Sequence, residues 1–200
     1  MRWLSLALLT TCLIRATNAP AAAQGLSGAR QLLAELQVES ASDRAADQLR
    51  VLAQRDPEAR QFLAEQLPTL IEKVHGPAWL NAVHLTGDLK IVEAVPVLAE
   101  LLRDPLTKGG ATNFGMALRL GDDPPGRALA DIGEPATEAV GALLVDQDRF
   151  KRWRAALVLG NINSAHADQL LELRLSHEDD PAVRAQIQSL LGERRKAKAP

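Results

Sequence analysis

The stretch Asp180-Pro181-Ala182-Val183-Arg184-Ala185-Gln186-Ile187-Gln188-Ser189-Leu190-Leu191-Gly192 reads as one helix with its start and stop marked. An Asp before the first turn can accept hydrogen bonds from the free N–H groups there, and Pro181 occupies the first helical position, where no N–H is required. Val183, Ile187, Leu190 and Leu191 recur at helical spacing and form a single apolar face. Gly192 is the residue type that closes helices. Arg184 falls about one turn past the Asp, on the flank of that face.

The same arrangement, an Asp followed four residues later by a cation, occurs elsewhere: Asp56 with Arg60, Asp104 with Lys108, Asp123 with Arg127, and Asp148 with Arg152. Four of the five copies have Pro directly after the Asp. Asp148 and Asp180 lie 32 residues apart, and each of their arginines is followed eight residues later by a glycine, Gly160 or Gly192. Such a period is what stacked helical hairpins leave in a sequence. The spacing predicts that each cation bridges to the Asp of the adjacent repeat. Exposed ion pairs contribute only about 0 to 1 kcal/mol each, so these pairs would set register while apolar faces supply stability.

Outward from these copies, almost every segment has helical period. Ala59, Phe62, Leu63, Leu67, Leu70, Ile71 and Val74 keep one stripe for four turns, with Pro68 inside it predicting a kink or split. Ala94, Leu98, Leu101 and Leu102 form another stripe, as do Ala136, Ala139, Val140, Leu143 and Leu144. No segment alternates strictly over a strand length. Short breaks at Gly76-Pro77, Gly87-Asp88, Gly133-Glu134-Pro135 and Gly160-Asn161 predict tight links between antiparallel helices. Residues 105–126 break the pattern and read as an irregular insert, with one short helix near Asn113 to Leu120.

The 200 residues are Leu- and Ala-rich, 46% hydrophobic and only 3% aromatic, with one Cys and no Tyr, a helix composition. A net charge of −2 gives no electrostatic case for a nucleic-acid partner. Met1 to Ala23 read as a secretory leader: Arg2, the apolar run Trp3 to Ile14, then small residues that place cleavage after Ala23. The apolar run is too short to span a bilayer, so no stable membrane insertion is expected after cleavage. Leu9-Thr10-Thr11-Cys12 only loosely resembles a lipobox. Loss of the leader removes Cys12, Arg2 and Arg15, leaving 21 basic against 25 acidic side chains and no disulfide. The protein is therefore expected to be exported, to the periplasm or the outside, and held by packing alone.

From Arg127 to Gly192 the chain resembles HEAT repeats, close to the short variety also found in phycobilisome-lyase-type repeats. Asp180-Pro-Ala-Val-Arg184 and Arg152-Trp-Arg-Ala155-Ala-Leu-Val-Leu-Gly160 carry the likeness. It is fair from Ala78 to Asp104 and weak before Asp56. Two departures stand out: Asn81 and its neighbours lack the family's Arg, and the Asp123 copy closes at Gly133 only six residues past its cation. The resemblance implies an all-α fold, a right-handed α-solenoid of stacked antiparallel helical hairpins of armadillo/HEAT type. On it, residues 24–55 are N-terminal helices capping an array at 56–192, and residues 193–200 are a disordered basic tail. It also implies that the second helix of each hairpin lines the concave face, which puts Asn81, Arg127, Arg152 and Arg154 near a partner.

Chemistry-bearing motifs are scarce. There is no Gly-x-Gly-x-x-Gly, no Walker loop and no Gly-x-Ser-x-Gly. His177-Glu178 begins like a zincin motif but lacks the second His, and Gly87 is expected to end the helix between His84 and Asp88, parting the one His–Asp pair spaced for a metal. No catalytic, cofactor-binding or metal-binding residue is assigned, and no cofactor is expected. Trp153, flanked by Lys151, Arg152 and Arg154, reads either as a partner anchor or as a plug between hairpins with solvated charges around it. The function expected is a non-catalytic scaffold for a protein or peptide partner. Two alternatives are a lyase- or chaperone-like helper that holds a chromophore or small ligand, and a structural subunit that associates with itself.

Overall fold

The computed structural model describes residues 21–103 and 119–198. Among the described residues the elements are helices, with no strand: α1 (Ala21–Leu36), α2 (Ser42–Arg55), α3 (Pro57–Lys73), α4 (Gly76–Asp88), α5 (Val95–Arg103), α6 (Pro124–Ile132), α7 (Thr137–Gly141), α8 (Arg149–Asn161), α9 (Ala165–His177) and α10 (Pro181–Lys198). Asp104, Lys108, most of the expected insert and nearly all of the leader lie outside the described residues.

Consecutive helices pair as hairpins, and alternate helices pack side by side in two layers. The odd-numbered helices α1, α3, α5, α7 and α9 form the first layer; α2, α4, α6, α8 and α10 form the second. One apolar seam runs between the layers, from Leu36, Leu49 and Leu63 through Leu98 and Leu129 to Leu171 and Ile187, all essentially without solvent contact. Burying each such side chain contributes roughly 1.5 to 3 kcal/mol. The stacked hairpins make an all-α solenoid.

The Asp side chains cap as their spacing predicts. Asp56 accepts from the Glu58 and Ala59 N–H groups at 2.9 and 3.0 Å, Asp148 from Phe150 at 2.8 Å, and Asp180 from Ala182 and Val183 at 2.9 and 3.1 Å. Asp123 caps α6 through Gly126 N–H at 3.2 Å, so the repeat resumes at Asp123 and residues 123–126 are not insert. Asp56 caps a first-layer helix, whereas Asp123, Asp148 and Asp180 cap second-layer ones. That copy is out of phase with the rest.

The expected cation-to-Asp bridge takes a different form. Arg60 donates to the Leu89 carbonyl, Arg127 to Asp131 within its own helix, and Arg184 to the Glu178 carbonyl. Arg152 reaches Glu178 instead of Asp180. The Asp side chains are met by other cations: Arg149 is 3.4 Å from Asp180 and Arg154 grips Asp123. The cation four positions past each cap thus has no fixed partner; what it meets is set by the groups its neighbouring helix and loop place within reach.

Three further expectations are corrected. Helix α3 does not split at Pro68 but runs on to Lys73, because Leu67 and Ile71 on either side are buried and their packing outweighs the lost hydrogen bond. Gly87 does not end α4; it lets α4 and α6 touch, since a β-carbon there would lie 2.9 Å from the Ala128 Cα. Gly133, at φ +87°, does close α6 in the left-handed region. Finally, the expected tail is helical to Lys198 because Arg194 anchors it: its guanidinium donates to the Leu159 and Gly160 carbonyls at 2.8 and 3.0 Å, and also to the Ile162 carbonyl and Asp168. A side chain from α10 thus satisfies the free carbonyls at the end of α8.

Candidate functional site

The second layer carries two clefts, one on each side of the turn Arg119–Gly121. The first, about 290 Å³, is built by Arg50 from α2, His84 and Asp88 from α4, Gly121, and Arg127 and Asp131 from α6. The second, about 620 Å³, has Leu120, Trp153, Leu157 and Leu190 as its apolar part, Asn161, Gln186 and Ser189 as its polar part, and Arg119, Glu193 and Arg194 as its charged part. The first cleft is walled by charged side chains, and the second mixes apolar, polar and charged ones.

Helical spacing places the charged groups. His84 and Asp88 are one turn apart on α4, and Arg127 and Asp131 one turn apart on α6, so both pairs project from the same layer. Arg50 Nη2 lies 2.6 Å from Asp88 Oδ2 and Nη1 lies 2.7 Å from Asp47 Oδ1. Burial alone would lower the pKa of Arg50, but its hydrogen bonds to Asp88 and Asp47 raise it above the ordinary value. Arg127 Nε lies 2.7 Å from Asp131 Oδ2 and remains half exposed. His84 sits between these pairs, and desolvation lowers its pKa, with Arg127 and Arg50 adding to the effect against the pull of Asp88 and Asp131. The shift favours the neutral imidazole, which can donate and accept within a cleft of paired charges. Among the described residues no group of three or more His, Cys, Asp or Glu is arranged to hold a metal.

The residues that sequence reasoning placed at the partner surface divide sharply. Arg127 is exposed at the charged cleft. Trp153 lines the second cleft but is only 5% exposed, stacked on Phe150 with ring centroids 6.3 Å apart. This is the plug, though the charges around it are not solvated. Asn81 is turned to α2, donating to Ser42 Oγ at 2.9 Å and Asp43 Oδ1 at 2.7 Å. Arg152 is bound to the buried Glu178 carboxylate and to the Asp146 and Gln147 carbonyls. Arg154 is 1% exposed. Arg152 and Arg154 are therefore internal struts and not partner-facing groups, because each meets a buried carboxylate that holds it more strongly than water would.

Four residues of the charged cleft, Arg50, His84, Asp88 and Asp131, were not predicted as site residues. Arg50 and Asp88 come together from hairpins 38 positions apart, and nothing local in the sequence marks them as partners. Glu178 was also missed, although the acidic run Glu178-Asp179-Asp180 before Pro181 was a usable signal.

The two-layer stacking, the Asp caps and the Asp123 to Gly192 register agree with one comparison: the family model described as HEAT repeats matches residues 126–192. Those residues are HEAT repeats. They run from α6 to α10, and the hairpins before them continue the same two layers. No curated protein matches the chain. HEAT repeats suggest a repeat-based scaffold for protein interaction, and proteins built from them are usually non-catalytic. No helix among the described residues is long and apolar enough to cross a membrane.

Proposed function

We propose that this HEAT-repeat protein is an exported, non-catalytic scaffold that binds a protein or peptide partner along its second layer. The observation that carries the reading is the placement of both clefts on that one layer, separated only by the turn at Arg119–Gly121. A polypeptide laid across α4, α6, α8 and α10 would meet the charged groups first and then the mixed cleft that Leu120, Asn161, Gln186 and Ser189 open to solvent. Extended surfaces of this kind are what stacked hairpins provide.

Self-association by end stacking has less support. The outward residues of α1 include Ser27, Arg30 and Gln31, and those of α10 include Arg184, Gln188 and Lys196, so both ends present polar faces. Polar terminal faces are how repeat arrays stop.

Photo-crosslinking groups at positions 127 and 161, one per cleft, are expected to capture the same partner from the exported fraction. A group at position 173 on the first layer is expected to capture none. Equal capture from all three positions would refute binding along the second layer. A melting shift with small molecules but no captured protein would favour the ligand-holding alternative. Export is tested by sequencing the N-terminus of the mature protein, expected at Gln24.

A further inference from the structure

Between α3 and α5, on the first layer and away from both clefts, lies a groove of about 580 Å³. Its floor is apolar, with Pro68, Val97 and Leu101, and its rim carries three carboxylates, Glu72, Glu93 and Glu100. Glu100 has a cation nearby, Arg103 at 3.1 Å. Glu72 and Glu93 are exposed and have neither an ion-pair nor a hydrogen-bond partner among the described residues. The acidic residues of the charged cleft, by contrast, are matched, Asp88 with Arg50 and Asp131 with Arg127. Around this apolar depression the negative charge of Glu72 and Glu93 is left without a compensating cation among the described residues.

We propose that this groove is a second docking site, which takes a short polypeptide segment carrying Lys or Arg on either side of apolar side chains. Charge complementarity selects that occupant. Nucleic acid and anionic lipid surfaces carry the sign that Glu72, Glu93 and Glu100 repel. The carboxylates are not arranged to hold a metal ion. A floor of Pro68, Val97 and Leu101 gives affinity only to a ligand with apolar groups between its cations, and the volume suits a few side chains, not a folded domain. Electrostatic attraction at the exposed rim would speed encounter and discriminate against acidic sequences, while the floor would supply the residence time. The site is independent of the second-layer reading: either stands if the other fails.

The test is selection from a displayed library of short peptides against the full mature chain, followed by fluorescence anisotropy of the enriched peptides. Enrichment of sequences that combine Lys or Arg with Leu, Val or Phe is expected. The Glu72→Lys/Glu93→Lys variant should bind them at least about tenfold more weakly, and raising NaCl from about 50 to about 300 mM should weaken binding to the unaltered protein. Both glutamates are exposed, so the variant should keep its helical circular dichroism; the milder Glu72→Gln/Glu93→Gln pair, expected to lose less affinity, covers failure of the first to fold. Arg50→Glu/Arg127→Glu on the other layer should bind the peptides unchanged. Absence of enrichment, enrichment of acidic sequences, or equal binding by the altered and unaltered grooves would each overturn the proposal.

Discussion

Arg154 and Asp123 form a bidentate ion pair in the interior, with Nε to Oδ2 at 2.9 Å and Nη2 to Oδ1 at 2.8 Å, and both side chains have 1% exposure or less. Arg154 also donates to the Leu102 carbonyl at 2.9 Å, and Asp123 caps α6, so one pair joins α5, α6 and α8. A buried ion pair is costly to break from one side, because the remaining charge keeps its desolvation penalty and loses its partner.

Arg154→Met is therefore expected to destabilise by about 3 to 5 kcal/mol. Asp123→Asn with Arg154→Met should be less damaging than Arg154→Met alone, since the amide can still cap α6 and no charge is stranded. Urea unfolding of the unaltered protein, Arg154→Met, Asp123→Asn and the double variant checks this; a double variant whose loss equals the sum of the two single losses would show that the two residues act separately.

Glu178 predicts an acid dependence. Burial by itself would raise its pKa, but hydrogen bonds from Arg152 and Arg174, and from the Asp180 N–H, outweigh burial and hold it at about 2, below the ordinary 4.5. A carboxylate with a depressed folded pKa stabilises above its unfolded pKa, and the contribution fades as pH falls from about 4.5 to about 2. The contribution at neutral pH is on the order of 3 kcal/mol. The stability difference between the unaltered protein and Glu178→Gln, measured by urea unfolding, should be largest above pH about 5 and shrink through that window. A difference independent of pH would mean that packing, not charge, is lost.

The same substitution should have opposite signs at two glycines. A methyl at Gly87 would sit 2.9 Å from backbone at Ala128, so Gly87→Ala must push α4 from α6 and is expected to cost about 1 to 3 kcal/mol despite better helix propensity. Gly192 in α10 has nothing within 4 Å of an added β-carbon. Gly192→Ala is expected to gain up to about 1 kcal/mol. Thermal melts of the two variants decide it.

Pro68→Ala is expected to raise stability, because α3 already passes through this position and an N–H there can donate to the Ala64 carbonyl. A rise in melting temperature with unchanged helical circular dichroism checks it. A fall would mean that the proline ring packs in the groove more favourably than the added bond.

Much of the fold was legible because its signals are local. The Asp caps at 56, 123, 148 and 180, the apolar stripes and the glycine at 133 all act within a turn or two of their own position, where spacing alone specifies geometry. Pro68 does not split α3, and Gly87 does not end α4, for the opposite reason. Local propensity describes an isolated helix, whereas the packing that buries Leu67 and Ile71 around Pro68, and Ala128 beneath Gly87, comes from other helices.

The site divides along the same line. Sequence by itself determined that the chain is a stack of helical hairpins, where its helices start, and that the family's second helices carry the cations. Only the tertiary structure decided which cations are free. Arg127 ends half exposed, while Arg152 and Arg154, four and six positions past the Asp148 cap, are consumed by Glu178 and Asp123. Capping and periodicity depend on neighbours along the chain, which spacing records. Exposure and pairing depend on what the next hairpin places opposite, as Asp88 does for Arg50, and no local pattern records that.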